Sequence, residues 1–132
     1  MAFMKLIFGG AYNGKLDYVK EKYKVSHEQI FFCRDENIEY NKEIICGLHV
    51  FVKACVSNGI NPIGILKDKM DLLENKIIIC DEINSGIVPI EKSDRIWREE
   101  TGRLLQFLAK HSSHVYRIFF GIEEELKNKM LF

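Results

Sequence analysis

Short apolar runs, each bounded by glycine or polar residues, recur along the chain. Four of them are compact and rich in β-branched or aromatic residues: Met4–Phe8, Gln29–Cys33, Lys76–Cys80 and Val115–Phe120. Such runs are typical of strands that are apolar on both faces, as the central strands of a parallel sheet are. They predict four strands of one buried sheet.

Amphipathic stretches lie between these runs. Their apolar residues recur at steps of three and four, which places them on one face of a helix. The pattern predicts helices over Leu16–Lys24, over Asn41–Ser57, from the N-cap Ser93 to about Lys110, and over the charged C-terminal segment Ile122–Met130. Residues 63–74 are expected to form a shorter helix or an irregular segment. Glu99 and Arg103 are spaced for an i,i+4 ion pair on the outer face of the long helix.

The alternation of strands and helices predicts an α/β fold. We expect one domain over residues 1–132, built as a three-layer α/β/α structure with a mainly parallel sheet and helices on both faces. In such sheets ligands bind beyond the carboxyl ends of the strands. That edge would collect Gly9–Lys15, Asp81–Pro89 with its predicted loop Asn84–Pro89, and the residues from Gly121 onward.

Charge and cysteine content narrow the class of protein. Nineteen basic and nineteen acidic residues cancel, so the chain lacks the basic surface typical of proteins that bind nucleic acid or anionic membranes. No apolar run approaches the roughly 20 residues that span a bilayer, and the N-terminus lacks the pattern of a signal peptide. The cysteines form no C-x-x-C pair and lie among apolar residues, as reduced core thiols do: Cys33, Cys46, Cys55 and Cys80. We therefore expect a cytoplasmic protein with no nucleic-acid or membrane partner.

The first predicted strand runs into a glycine-rich loop and then into a helix. The loop reads Gly9-Gly10-Ala11-Tyr12-Asn13-Gly14-Lys15-Leu16, which contains the G-x-x-x-x-G-K pattern of a phosphate loop. Its glycines let backbone N–H groups point at a phosphate, the lysine reaches the β- and γ-phosphates, and the helix N-terminus adds partial positive charge. The segment predicts binding of a nucleoside triphosphate, GTP or ATP. The alternative is a glycine turn with Lys15 simply exposed to solvent.

The residue after Lys15 departs from that pattern. A serine or threonine at this position supplies a hydroxyl ligand to Mg²⁺, and Leu16 has none. Asp17 lies about 100° further round the helix and is a poor substitute. Nucleotide binding is therefore expected through the loop and Lys15, whereas Leu16 argues against fast phosphoryl transfer.

Two acids and an arginine complete the candidate site. Asp81 and Glu82 follow the predicted strand Lys76–Cys80, where an acid often holds Mg²⁺ directly or through water. The alternative is a carboxylate pair that caps the following loop. Arg98 shares a helix face with Arg95, from which it would reach a phosphate or pair with neighbouring carboxylates.

Two blocks in the second half of the chain carry the most specific pattern. The first is Ile77-Ile-Ile-Cys-Asp-Glu82-Ile with Gly86-Ile-Val-Pro89, and the second is Arg95-x-Trp97-Arg98-Glu99-x-x-Gly102-Arg103-x-x-Gln106, followed by a strand and Gly121-Ile122. These blocks resemble the adenosylcobinamide kinase / adenosylcobinamide-phosphate guanylyltransferase family of cobalamin biosynthesis. With the glycine loop, the resemblance covers the chain up to about residue 35 and again from Lys76 onward.

The resemblance implies a phosphate-loop fold related to RecA and a transferase that acts as kinase and nucleotidyltransferase. Such an enzyme would phosphorylate the hydroxyl of adenosylcobinamide's aminopropanol arm with GTP or ATP. Lys15 would hold the phosphates, Glu82 or Asp81 would organise Mg²⁺ or the acceptor, and Arg98 would stabilise charge. Members of the family assemble into oligomers, so the resemblance also implies a homo-oligomer.

Several positions depart from the family pattern. Asn13, Leu16 and Leu105 replace family residues, and the chain is shorter after Cys33, where the family carries the histidine that accepts GMP. His49 lies at a similar distance, but its apolar neighbours favour a histidine packed on a helix. Two alternatives therefore stay open: a non-catalytic nucleotide-binding or interaction module, and a phosphate-loop kinase of another small substrate.

Overall fold

The computed structural model of the chain describes residues 4–11, 13–83 and 91–129. Strands and helices alternate along most of it. In chain order the elements are β1 (Lys5–Gly9), α1 (Lys15–Tyr23), β2 (Ile30–Phe32), β3 (Ile44–Cys46), α2 (Leu48–Ser57), α3 (Pro62–Asp68), α4 (Met70–Leu73), β4 (Ile77–Asp81), α5 (Lys92–His111), β5 (His114–Phe119) and β6 (Ile122–Asn128).

The strands form one six-stranded sheet in the order β2-β3-β4-β1-β5-β6. The strands from β1 to β5 pair in parallel, and β6 pairs with β5 in the antiparallel sense. The predicted α/β fold with a mainly parallel sheet is therefore confirmed. Because β1 lies between β4 and β5, the segments that follow these three strands meet at one edge of the sheet.

Both faces of the sheet are covered, as the sequence pattern predicts. Side chains alternate between the two faces along each strand. Leu6 and Ile78 pack on one face against residues of α2, α3 and α5. Ile7 and Ile79 pack on the other face against Val19 of α1. The core is therefore divided into two apolar layers by the sheet.

The cysteines are free thiols, as expected for core residues. Three are buried and Cys46 is half-buried. Burial raises the pKa of Cys33 to about 12 and that of Cys55 to about 11, which keeps these thiols protonated and unreactive. Among the described residues, no helix has the length and apolar character that crossing a membrane requires.

The predicted helix Asn41–Ser57 is wrong in its first part. Ile44–Cys46 forms β3, which pairs with β2 and β4, and the helix begins only at Leu48. Consecutive apolar residues suit a short buried strand as well as a helix face, so periodicity alone does not separate the two. Gly47 has a φ of 81° and turns the chain from β3 into α2, and its N–H donates to the Ile79 carbonyl oxygen at 3.0 Å.

The predicted C-terminal helix Ile122–Met130 is wrong, because Ile122–Asn128 forms β6. Phe120 and Gly121 both have positive φ, 51° and 74°, which is the geometry of a tight hairpin turn. Pairing with β5 outweighs the helix preference of the glutamate-rich segment. Lys127 Nζ then donates to the carbonyl oxygens of Ala109 and Lys110 at 2.8 and 2.9 Å, which caps the C-terminus of α5.

The start of α5 also differs from the prediction. Its N-cap is Glu91 rather than Ser93, and Arg103 pairs with Glu100 at 3.1 Å rather than with Glu99. The end at His111 agrees with the prediction to within one residue. The predicted loop Asn84–Pro89 lies outside the described residues.

Candidate functional site

The glycine loop lies between β1 and α1, as predicted, and the path of the chain requires glycine at two of its positions, Gly9 and Gly14. Tyr12 lies outside the described residues. A β-carbon at Gly9 would clash with the Ile118 carbonyl oxygen, and one at Gly10 would lie 2.9 Å from Asn13 Nδ2. Gly14 is the N-cap of α1 with a φ of 80°, in the left-handed region that favours glycine. The loop therefore takes a compact path that larger side chains would block.

Lys15 is the first residue of α1 and is almost fully buried, with 6% of its surface exposed. Its Nζ donates to the Gly10 carbonyl oxygen at 2.7 Å and lies 2.6 Å from Asp81 Oδ1. A buried ammonium group requires such partners, because its transfer from water is costly. The alternative of a solvent-exposed Lys15 is therefore wrong. The Lys15 side chain instead folds back over the glycine loop and contacts the carbonyl oxygen of Gly10.

Asp81 is the last residue of β4 and is positioned by the pairing of β4 with β1. Gly9 is its partner in the sheet, and the Glu82 N–H donates to the Gly9 carbonyl oxygen at 2.8 Å. One Asp81 carboxylate oxygen contacts Lys15, and the other lies 3.4 Å from His49 Nε2. The predicted acid thus lies directly beside the predicted phosphate-binding lysine.

His49, in the first turn of α2, holds Asp81 from the opposite side. Its Nδ1 accepts a hydrogen bond from the Asp81 N–H at 3.1 Å, which places the proton of the neutral ring on Nε2. Burial lowers the pKa of His49, Asp81 opposes that shift, and Lys15 adds to it. Because both ring nitrogens face Asp81, neither is free to accept a nucleotidyl group in this arrangement.

These groups line a cavity of about 460 Å³, here called the loop pocket. Its wall includes Gly14, Lys15, Leu16, Cys46, His49 and Asp81. The sequence interpretation placed His49 on a helix, which is correct, but missed its contact with Asp81, and it assigned Cys46 to the core without placing it at this pocket. The missed signal is Gly47 after an apolar run, since a strand ending at Cys46 would have placed both residues at the carboxyl edge of the sheet.

Glu82 and Arg98 line a different cavity, here called the Arg98 pocket, of about 400 Å³. Its wall also includes Thr101, Gly102, Leu105 and Gln106 of α5. Glu82 Oε2 accepts from Arg117 Nη2 at 3.1 Å. The Thr101 hydroxyl is buried without a hydrogen-bond partner, and Arg98 has no polar partner within the part of the chain that the structure describes. The structure therefore separates the predicted site residues into two neighbouring pockets.

A magnesium ion held jointly by Asp81 and Glu82 does not fit this geometry. The two carboxylates belong to different pockets and have different cationic partners. Residues 4–11, 13–83 and 91–129 contain no group of three or more His, Cys, Asp or Glu side chains placed to hold a metal. Leu16 offers no hydroxyl for a metal ion, and the Asp81 carboxylate lies in the loop pocket in contact with Lys15.

A comparison with known protein families bears most directly on the Arg98 pocket. No curated protein matches the chain. The family model of cobinamide kinase / cobinamide phosphate guanyltransferase matches residues 63–126, which run from α3 through most of β6 and include every described wall residue of the Arg98 pocket. The glycine loop lies outside the matched residues. The partial match over residues 63–126 supports membership of this chain in the cobinamide kinase / cobinamide phosphate guanyltransferase family.

Proposed function

We propose that the chain binds GTP or ATP at the loop pocket and transfers the γ-phosphoryl group to the hydroxyl of a cobinamide held at the Arg98 pocket. The observation that carries the proposal is the burial of Lys15 across its own glycine loop, with its ammonium group on Gly10 and Asp81. A buried lysine at a helix N-terminus, next to close-packed glycines, is suited to replace its carbonyl and carboxylate partners by phosphate oxygens.

The family match supports the acceptor class. The partial match over residues 63–126 supports a cobinamide kinase / guanyltransferase-like function in cobalamin biosynthesis. The Arg98 pocket offers Gln106 together with a guanidinium group and a buried hydroxyl that have no partner among the residues the structure describes. These groups are suited to hydrogen-bond an acceptor that is rich in amide and hydroxyl groups, as a cobinamide is.

The proposed step is a direct phosphoryl transfer between the two pockets. The acceptor hydroxyl oxygen forms a bond to the γ-phosphorus, and the bond between that phosphorus and the bridging oxygen of the β-phosphate breaks. The nucleoside diphosphate leaves, and Glu82 accepts the hydroxyl proton. Lys15 holds the phosphates and Arg98 stabilises the charge that spreads over the transferred oxygens. No step is assigned to magnesium, because the described residues fit that ion incompletely.

We further propose, from the family resemblance alone, that the fold belongs to the RecA-like subclass, that the chain assembles into a homo-oligomer, and that the protein is cytoplasmic. A nucleotidyl-transfer step on His49 is left out of the proposal, since Asp81 engages both ring nitrogens.

A second candidate function is a nucleotide-binding module without catalysis. The observations that favour it are Leu16 at the position of the metal-binding hydroxyl and the direct contact of Asp81 with Lys15. Such a module would bind nucleotide and form no product. The two functions therefore differ in turnover rather than in affinity.

Titration calorimetry with GTP and ATP, with and without Mg²⁺, tests the nucleotide site. Lys15→Met, which keeps the side-chain length but not the charge, is expected to weaken binding by about 100-fold. Lys67→Met, at an exposed lysine of α3, is the matched control and should bind as the wild type does. Unchanged affinity in Lys15→Met would show that the loop is not a phosphate site.

Incubation with cobinamide and GTP or ATP, followed by mass spectrometry, separates the two functions. Phosphorylated cobinamide supports the kinase. Nucleotide binding without any phosphorylated cobinamide, with Mg²⁺ or with Mn²⁺, would contradict the kinase and favour the non-catalytic module.

A further inference from the structure

The turn between β5 and β6 lies against the phosphate loop. We call Phe119, Phe120, Gly121 and Ile122 the hairpin tip. The Gly121 N–H donates to the Asn13 carbonyl oxygen at 2.9 Å, and the Gly121 Cα lies 3.6 Å from the position of a β-carbon on Gly14. The backbone of the tip therefore touches the last residues of the loop before α1 begins.

A second set of contacts fixes the hairpin to α1. The Glu123 carboxylate accepts hydrogen bonds from the Tyr18 hydroxyl and from Lys22 Nζ, the latter at 2.9 Å. Lys22 Nζ also donates to the Tyr18 hydroxyl at 2.8 Å. The tip therefore contacts the loop through Gly121, and Glu123, the residue that follows the tip, contacts α1.

The hairpin tip exposes large apolar side chains beside this polar site. Phe120 is 75% exposed, Ile122 71% and Phe119 57%. The two phenylalanine rings meet edge to face, with centroids 4.5 Å apart and planes at 71°. This arrangement leaves ring faces open to solvent, where they can stack on a planar group.

Phe120 is also an unfavourable choice for its position in the turn. Its φ of 51° lies in the left-handed region, where Asn, Asp or Gly is favoured and a bulky side chain is strained. The residue therefore carries both a backbone penalty and the cost of an exposed ring. A ligand that covers the ring would remove the second of these costs.

We propose that the hairpin tip, chiefly Phe120, is a stacking platform for the base of the nucleotide whose phosphates lie in the glycine loop. The inference rests on the proposed nucleotide site and adds the part of that site that holds the base. Stacking on an aromatic ring depends on the π-face, which every base has. Phe120 should therefore contribute to the binding of GTP and ATP about equally.

A second copy of the chain is a less suitable occupant. The free edge next to the tip belongs to β6, which begins with Ile122 and continues with Glu123, Glu124 and Glu125. Consecutive acidic residues on an edge strand oppose pairing with another strand. A base needs only a ring face and contact with the phosphate loop, and the tip offers both.

The test compares GTP, ATP and inorganic tripolyphosphate by titration calorimetry on Phe120→Asn. Asparagine suits the turn better than phenylalanine does, so this variant should fold at least as well as the wild type. We expect its affinity for GTP and for ATP to fall by about 10-fold, and its affinity for tripolyphosphate to stay unchanged. Leu126→Thr, which removes an exposed apolar side chain of β6 outside the tip (50% exposed), should bind all three probes as the wild type does.

Phe120→Trp provides a second, spectroscopic measurement. Its indole fluorescence should be quenched by GTP and not by tripolyphosphate, with Phe120→Asn as the background for Trp97. Unchanged GTP affinity in Phe120→Asn, or an equal loss for GTP and tripolyphosphate, would overturn the inference. A dimer that dissociates in Phe120→Asn while GTP affinity stays constant would also overturn it, in favour of a contact between copies. If the wild type binds none of the three probes, the proposed nucleotide site itself is wrong and the platform with it.

Discussion

The loop pocket and the Arg98 pocket differ in how their charged groups are satisfied. In the loop pocket, Lys15 and Asp81 are in contact at 2.6 Å, and His49 engages the remaining oxygen of Asp81. In the Arg98 pocket, Arg98 and the buried Thr101 hydroxyl have no polar partner among the described residues. A ligand must therefore displace an internal carboxylate from the first pocket, whereas the second offers groups that are ready to bind.

The separation of the pockets follows from the geometry of a single strand. Asp81 and Glu82 are neighbours at the end of β4, and successive side chains of an extended chain point to opposite faces. Asp81 points to the face that α1 covers, and Glu82 to the face that α5 covers. The end of β4 thus contributes one residue to each pocket. We therefore expect mutations in one pocket to leave ligand binding at the other unchanged.

Arg98→Ala should produce the largest difference between the pockets. Loss of the guanidinium group is expected to lower kcat/KM for cobinamide phosphorylation by about 100-fold, because it removes a charge-stabilising donor. GTP affinity, measured by calorimetry, should stay unchanged. Arg95→Ala, an exposed arginine one turn earlier on α5, is the control and should retain activity. An equal loss of GTP affinity in Arg98→Ala would mean that the two pockets form one site.

Asp81→Asn should strengthen nucleotide binding at the loop pocket, whereas Arg98→Ala should weaken catalysis at the Arg98 pocket. Removal of the carboxylate frees Lys15 for phosphate and removes a negative charge beside it, so GTP affinity in metal-free buffer should rise by about 10-fold. Asp17→Asn removes an exposed carboxylate from the same region without a contact to Lys15, and controls for general charge repulsion. A weaker affinity in Asp81→Asn than in Asp17→Asn would contradict the displacement of Asp81 by the nucleotide.

Thr101→Val tests the unsatisfied hydroxyl of the Arg98 pocket. Valine has nearly the same shape and no polar group, so the free energy of unfolding should rise by about 1 kcal/mol. Denaturant unfolding measures this change. Thr101→Ser keeps the hydroxyl and should show no such gain. Destabilisation by valine would mean that the hydroxyl already has a partner.

The smallest of the expected effects is the contribution of His49 to the pH dependence of the free energy of unfolding. The pKa of His49 is lowered from 6.5 in the folded chain, so the unfolded chain binds more protons below that pH. The stabilising contribution of neutral His49 is therefore full above pH 6.5 and decreases as the pH falls towards the folded pKa.

His49→Asn retains an acceptor for the Asp81 N–H and does not titrate in this range. Denaturant unfolding between about pH 7 and pH 5 should show a shallower decrease for this variant than for the wild type. His114, whose pKa burial also lowers, is present in both proteins and cancels from the difference. Parallel curves for the two proteins would contradict the inferred environment of His49.

The sequence by itself determined the features that depend on local chain geometry. The glycine loop between β1 and α1 follows from residues within one short segment, where an apolar run, glycines and a helix succeed one another and Gly14 takes a φ of 80° that favours glycine. The strands β1, β2, β4 and β5 follow from compact β-branched runs that suit a buried parallel sheet. Lys15 and Asp81 were placed at the same edge by the general rule for such sheets.

Only the tertiary structure decided which elements the ambiguous segments form and which groups meet. Ile44–Cys46 and Ile122–Asn128 form strands because they pair with β4 and β5, which are distant from them or become available only in the fold. The local sequence pattern does not show that these partners are present. The contact of His49 with Asp81 joins residues that are distant in sequence, and the separation of Asp81 from Glu82 depends on what α1 and α5 cover. Local preference fixes how a segment can turn, whereas long-range packing and pairing fix where its side chains point.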